Sequence, residues 1–374
     1  LTQTEDDEAE DELLHHLQQL SKLGWIKLSR TNWLGTTQKS WRMHTIVQDM
    51  VQQQLGHDEN LEDGVTNVLY KVSFKHYKKH HIEAQEWRSF LETIVKKIDR
   101  KIIPIVGCYD VLSHLLNAIG HYDKALLNHQ KTLNIAEQIL PAQHRDLASL
   151  FMNMGVTYQQ LAQYNIALAY YERCRVIYEQ VLPAKHPDLA TIYMNIASIY
   201  NYLTQYDTAL AYYERCRAIR EQILPAQHPD LASLYNNIGF AYEHLNKCET
   251  ALAYYERSRT IREQILPAQH PDLATPYMNI ANTYQKLTQY KAALAYYQRC
   301  QAIYEQTLPA KHINLSILYE NMAQLFNKQS QFSEAQTYID KAVAIYQQIL
   351  SPEHLYLREA LELQNTIHQH LQPQ

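Results

Sequence analysis

Residues Ala209 to Ala232 read ALAYYERCRAIREQILPAQHPDLA, and Ala251 to Ala274 read ALAYYERSRTIREQILPAQHPDLA. The two stretches lie 42 residues apart and differ only at Cys216/Ser258 and Ala218/Thr260. Leu-Pro recurs in the same register at Leu140-Pro141, Leu182-Pro183, Leu224-Pro225, Leu266-Pro267 and Leu308-Pro309, with a degraded copy at Leu350-Ser351-Pro352. A fixed period of about 20 to 50 residues marks a repeat array, in which each unit buries its apolar surface against its neighbours alone. An array escapes the size limit of a single core, so 374 residues do not demand several globular domains. Function is then sought on a surface that the units share.

Each unit reads as two antiparallel helices. In one unit Leu189, Tyr193, Ile196, Ala197, Tyr200 and Leu203 recur at three- and four-residue spacing, and Thr204-Gln205-Tyr206 makes the turn. A second helix presents Ala209, Leu210, Tyr213, Cys216, Ile219 and Ile223, and Pro225 closes it. The link Pro225-Ala226-Gln227-His228-Pro229-Asp230 opens the next helix, with proline tolerated in the first turn and aspartate favourable at the positive dipole end. Small residues Ala197, Gly239 and Ala281, then Ala209, Ala251 and Ala293, let helices approach closely. Tyr200, Tyr242 and Tyr284 in one row, and Tyr213, Tyr255 and Tyr297 in another, fill the gaps as core.

This pattern is similar to the tetratricopeptide repeat, in a form eight residues longer than the common 34-residue unit. It more closely resembles the 42-residue variety of kinesin light chains and NB-ARC proteins, in which the His-Pro-Asp link recurs. The resemblance implies an all-α fold, a right-handed superhelical solenoid of antiparallel helix pairs whose first helices line the concave side. Six units are expected over 109–350, starting at Tyr109, Pro141, Pro183, Pro225, Pro267 and Pro309, and residues 351–374 supply a polar-faced capping helix.

The first 56 residues differ. Glu5, Asp6, Asp7, Glu8, Glu10, Asp11 and Glu12 make an acidic entry. A helix from Leu13 to Leu23, a hairpin of Trp25–Ser29 with Trp41–Met43, and a helix from His44 to Leu55 then form a partial winged-helix domain. Trp41-Arg42-Met43-His44 resembles the end of the winged helix in NB-ARC (STAND) ATPases, where the histidine approaches the phosphates of ADP. His44 would inherit that nucleotide-sensing role, with Thr45 in place of the usual acid; a half-exposed histidine at a helix start is the other reading. No G-x-x-x-x-G-K-[ST] phosphate loop occurs, so the ATPase itself would have to precede Leu1, and the chain is expected to be a fragment. Residues 57–108 read as a helical linker or pseudo-repeat in which nine basic residues from Lys71 to Lys101 stand against four acidic ones, as a solvated face, against an acidic neighbour such as the N-terminal segment, or toward RNA, for which no aromatic interleaving or RNA motif is present.

A net charge of -5 and the acidic entry argue against nucleic acid and anionic membranes. No apolar run reaches the roughly 20 residues that span a bilayer, and no signal-peptide pattern opens the chain, so a cytoplasmic location is expected. Cys174, Cys216 and Cys300 share one repeat position, as small buried residues rather than disulfide or metal partners. The link histidines His144, His186, His228, His270, His312 and His354 are expected as cap or turn residues. No catalytic constellation and no cofactor site stands out from the repeat background.

The expected work is therefore binding of a protein or extended peptide. Asn153, Asn195, Asn237, Asn279 and Asn321 recur once per unit on the first helix. A carboxamide donates and accepts, and so can pair with a peptide backbone whatever its side chains; bonding from helix to helix within the scaffold is the alternative. Selectivity is expected where the units differ, at Tyr202, Glu243, His244 and Lys286 among the helix positions read as exposed, unless that variation is drift. The chain is thus expected to be a sensor region joined to a NB-ARC ATPase domain, or a free-standing adaptor similar to kinesin light chains.

Overall fold

The computed structural model describes residues 113–114, 116–118 and 120–372. The winged-helix element with its hairpin, His44, the segment 57–108 and the expected start of the first unit at Tyr109 lie outside the described residues. Those described hold twelve α-helices, one 3₁₀ turn and no strand.

The helices follow the 42-residue period. The A helices are α2 (Arg145–Gln160), α4 (Pro187–Tyr202), α6 (Pro229–His244), α8 (Ala274–Lys286) and α10 (Ile313–Lys328). The B helices are α1 (Tyr122–Ile139), α3 (Tyr164–Val181), α5 (Tyr206–Ile223), α7 (Cys248–Ile265), α9 (Tyr290–Thr307) and α11 (Phe332–Ile349). The final helix α12 (Leu355–Leu371) occupies an A position with no B helix described after it. The chain divides between Val181 and Leu182 into two compact units. In the first, α2 packs on α1 and α3; in the second, α4 packs on α5, α6, α8 and α10 each pack on the B helices before and after them, and α12 packs on α11.

The link histidines are caps. In each of the six, Nδ1 accepts the N–H two residues on, at 3.1–3.2 Å, from Asp146, Asp188, Asp230, Asp272, Asn314 and Tyr356. This satisfies one of the orphan donors at the helix start. The link after α7 is the irregular one. Pro276 stands where α4, α6 and α10 carry Ile192, Leu234 and Leu318, has no N–H for a helical bond, and the first turn tightens to a 3₁₀ turn at Pro271–Leu273.

The A helices end in left-handed turns. Ala162, Thr204, Asn246, Thr288 and Ser330 have φ of 56–58°. At the second of these the Thr204 N–H donates to Asn201 O at 3.0 Å and the Gln205 N–H to Tyr200 O at 2.8 Å, the paired bonds of a Schellman cap. None of the five is glycine, although that position tolerates a Cβ poorly.

Large rings fill the space left by small residues. Tyr171, Tyr213, Tyr255 and Tyr297 are 0–1% exposed. Where Gly155 and Gly239 face them, an added Cβ would stand 2.5 Å from Tyr171 Cδ1 and 2.7 Å from Tyr255 Cδ1. Cys174, Cys216 and Cys300 are also fully buried, as their shared position implies. Tyr200, Tyr242 and Tyr284 are half-buried, stacked 5.6–5.8 Å from Tyr212, Tyr254 and Tyr296.

Candidate functional site

The A helices position the candidate residues. In the first compact unit, Asn153 is half-buried with its Nδ2 3.2 Å from His114 Nε2. In the second, Asn195, Asn237, Asn279 and Asn321 are all half-buried. Asn279 Nδ2 donates to Asn236 Oδ1 at 3.0 Å, and Asn321 Nδ2 to Met278 Sδ at 3.5 Å. Part of this row's hydrogen bonding therefore runs from one A helix to the next, inside the scaffold.

A second register holds the buried phenols. Tyr171 OH donates to Gln159 Oε1 at 2.9 Å, Tyr255 OH to Glu243 Oε2 at 2.8 Å, and Tyr297 OH to Gln285 Oε1 at 2.9 Å, while Asn201 Nδ2 donates to Tyr213 OH at 2.9 Å. Each partner stands four residues after the small residue that the ring covers. Burial pushes all four phenols well above the ordinary tyrosine range, Tyr255 furthest, where the Glu243 carboxylate adds to it. These hydroxyls are neutral donors or acceptors, and their partners are structural.

Glu243 thus departs from its expected exposure: it is 7% exposed. Its Oε1 lies 2.8 Å from Lys286 Nζ on α8, so the carboxylate joins two A helices. The lysine side chain remains 44% exposed, which limits the strength of the pair.

Beside this pair the surface is aromatic. Tyr202 is 57% and Phe240 37% exposed. His244 is exposed and stacks on Tyr206, with ring centroids 4.9 Å apart and planes at 13°, and it lies 4.3 Å from Phe240. Burial, then the Lys286 charge, lowers the His244 pKa, which favours the neutral ring. At the position of Phe240 the neighbouring A helices carry Ser198, Asn282 and Gln324. Tyr206 joins this patch from the start of α5, a position at which other units carry Tyr164, Cys248, Tyr290 and Phe332, whereas the signal at Phe240 is its departure from the polar residues of other units.

The B-helix face is committed to the scaffold. Arg215, Arg257, Arg299 and Lys341 lie over tyrosine rings, Arg257 at 4.3 Å from the Tyr235 centroid. Tyr235 and Tyr277 donate to Glu221 and Glu263 on the preceding B helix at 2.8 and 2.7 Å, and burial together with those carboxylates pushes both phenols up to about 12. Glu172 pairs with Arg175 and Glu214 with Arg217 within one turn, as read from spacing, each worth a few tenths of a kcal/mol. Among the described residues, no group of three or more His, Cys, Asp or Glu side chains is placed to hold a metal ion, and no helix is long and apolar enough to cross a membrane.

Comparison with known proteins agrees with this architecture. The fold resembles a chain of the APC/C hetero-tetramer Cut9-Hcn1, at TM-score 0.56 and 12% identity over 87% of this chain and 52% of that one. It resembles apo RapI at TM-score 0.51 and 13% identity, over 71% and 98%. A kinesin-light-chain-like protein of Podosopora anserina with nearly identical TPR-like repeats aligns at TM-score 0.48 and 21% identity, over 53% and 94%. For the first two of these the likeness is one of fold alone. No curated protein matches the sequence. Residues 146–222, 188–264, 230–306 and 318–356 match tetratricopeptide repeat families and together span more than half of the 374 residues, so the chain belongs to the tetratricopeptide repeat family.

Proposed function

We propose that the chain is a non-catalytic interaction module whose A helices hold an extended segment of a partner protein. The observation that carries this reading is the asparagine row: Asn195, Asn237, Asn279 and Asn321, one per A helix of the second unit, half-buried and at a constant register. Asn279 and Asn321 spend an N–H on the neighbouring A helix, which orients the carboxamide for a further bond to a peptide backbone. Asn153 holds the equivalent repeat position in the first unit. Tyr202, His244 and Lys286 contact the ligand's side chains, and Glu243 acts by holding Lys286 in place.

The test replaces Asn195, Asn237 and Asn279 by alanine together and measures affinity for a partner recovered by cross-linking from host lysate. A loss of tenfold or more, with the melting temperature measured alongside, is expected. Unchanged affinity removes the row from the mechanism.

The Trp41-Arg42-Met43-His44 motif favours a second, more specific reading: a sensor region coupled to a NB-ARC-type ATPase domain, with His44 at the nucleotide. The coding sequence upstream of Leu1 decides it. A phosphate loop there supports the sensor, and a start codon next to Leu1 leaves a free-standing adaptor.

A further inference from the structure

The patch of Tyr206, Phe240 and His244 stands on a face of unusual charge. Over α4, α6 and α8 the half-buried or exposed positions of that face include Asn195, Ser198, Asn237, Met278, Asn279 and Asn282. The cation on it, Lys286, is held at 2.8 Å by the buried Glu243 carboxylate. Exposed charges at the starts of the adjoining B helices, Asp207 and Glu249 against Lys247 and Lys291, balance. The face therefore offers carboxamides and rings but no net field.

That composition selects a ligand. A charged segment laid here would lose hydration with no countercharge to receive it, whereas an uncharged one loses little. The carboxamides serve its backbone, and the exposed face of Phe240 gains from being covered by an apolar side chain. His244, its pKa lowered, stacks as a neutral ring and adds no cation to the patch. The positions equivalent to Phe240 in neighbouring units are Ser198, Asn282 and Gln324, so the anchor point is confined to this unit.

Building on the proposed peptide-holding role, we infer that this face takes an uncharged extended protein segment anchored by one aromatic or large aliphatic side chain on Phe240, beside the Tyr206–His244 stack. Recognition is then set by shape and amide pairing rather than by salt bridges.

The test uses a display library of random peptides, selected on the full chain and counter-selected on the Phe240→Ser chain, serine being the residue that α4 carries as Ser198. The expected winners have near-zero net charge and one aromatic or large aliphatic residue. A synthetic winner should bind with affinity that changes less than about twofold between low and high salt, and should weaken about tenfold on Phe240→Ser. Phe240 is partly exposed, so that variant folds, and circular dichroism verifies it. Winners that are strongly acidic or basic with steep salt dependence, or that bind the Phe240→Ser chain equally well while still weakening on Asn237→Ala, overturn the inference and leave the groove standing. Winners indifferent to both substitutions, or no enrichment at all, overturn the groove as well.

Discussion

Replacing Ser258 with cysteine should stabilise the protein. Ser258 is fully buried and its Oγ has no hydrogen-bond partner. The other units place Cys174, Cys216 and Cys300 at this position, each 0% exposed, so the surrounding frame accommodates a sulfur. A hydroxyl buried without a partner costs about 1–3 kcal/mol, and a thiol costs less because it is a weak donor and packs as a small apolar group. Allowing for local readjustment around the larger atom, the net gain is about 1–2 kcal/mol. For a compact unit the size of residues 182–374, each kcal/mol moves the melting temperature by about 2–4 °C, which gives a rise of about 2–8 °C. Burial pushes the thiol of Cys216 up to about 11 and that of Cys300 to about 12, so an added thiol would also stay protonated and slow to oxidise. The assay is a circular dichroism melt of the parent, Ser258→Cys and Ser258→Ala at two heating rates. A melting temperature at or below that of the parent for both variants would refute the reasoning, because it would mean that the hydroxyl is already satisfied, for instance by the carbonyl one turn back.

Glu243→Gln should change stability by less than about 1 kcal/mol, since Gln159 and Gln285 accept the equivalent phenols at 2.9 Å, while Glu243→Ala should cost about 2–4 kcal/mol by leaving the Tyr255 hydroxyl unsatisfied. Urea melts separate the two, and equal losses would assign the effect to the Lys286 pair instead. Thr204→Gly and Thr288→Gly should each stabilise by about 0.5–1.5 kcal/mol because φ near 57° strains a β-branched residue. Asn246→Gly, at the same φ, is the control, and thermal melts should give it the smallest gain of the three. Pro276→Leu should lengthen α8 by a turn and stabilise by about 1–3 kcal/mol, read as a gain in helical ellipticity at 222 nm together with a higher urea midpoint; no change would place the origin of the 3₁₀ turn elsewhere.

The helix pairs were legible because periodicity and turn chemistry agreed: the Leu-Pro register, the small-large alternation and Thr204-Gln205-Tyr206 each pointed to the same boundaries, and the helices begin and end there. The link histidines also read correctly as caps. Glu243 did not, for a physical reason. Helical spacing places its Cα on the outward side of α6, but a long side chain can fold back to a hydroxyl twelve residues further along the chain, and only the interhelical register reveals that. The rings over which Arg257 and Arg299 lie belong to different helices and were hidden in the same way. Tyr200, Tyr242 and Tyr284 were read as core like the Tyr213 row, yet they are half-buried, because period alone does not say how deep each row sits.

Near-identical units carry a hazard during folding. The B helix and link of one unit are copied almost without change in the next, so a helix from one unit, or from another molecule, can dock on the wrong neighbour at nearly the native energy. The Glu243–Lys286 pair opposes part of such exchange. Shifted by one unit, Glu243 would meet Lys328, but Lys286 would face Asn201 or Gln285-like amides and the pairing of α6 with α8 would be lost. The same few unlike residues that give this face its chemistry thus also act as an address, recording which copy follows which.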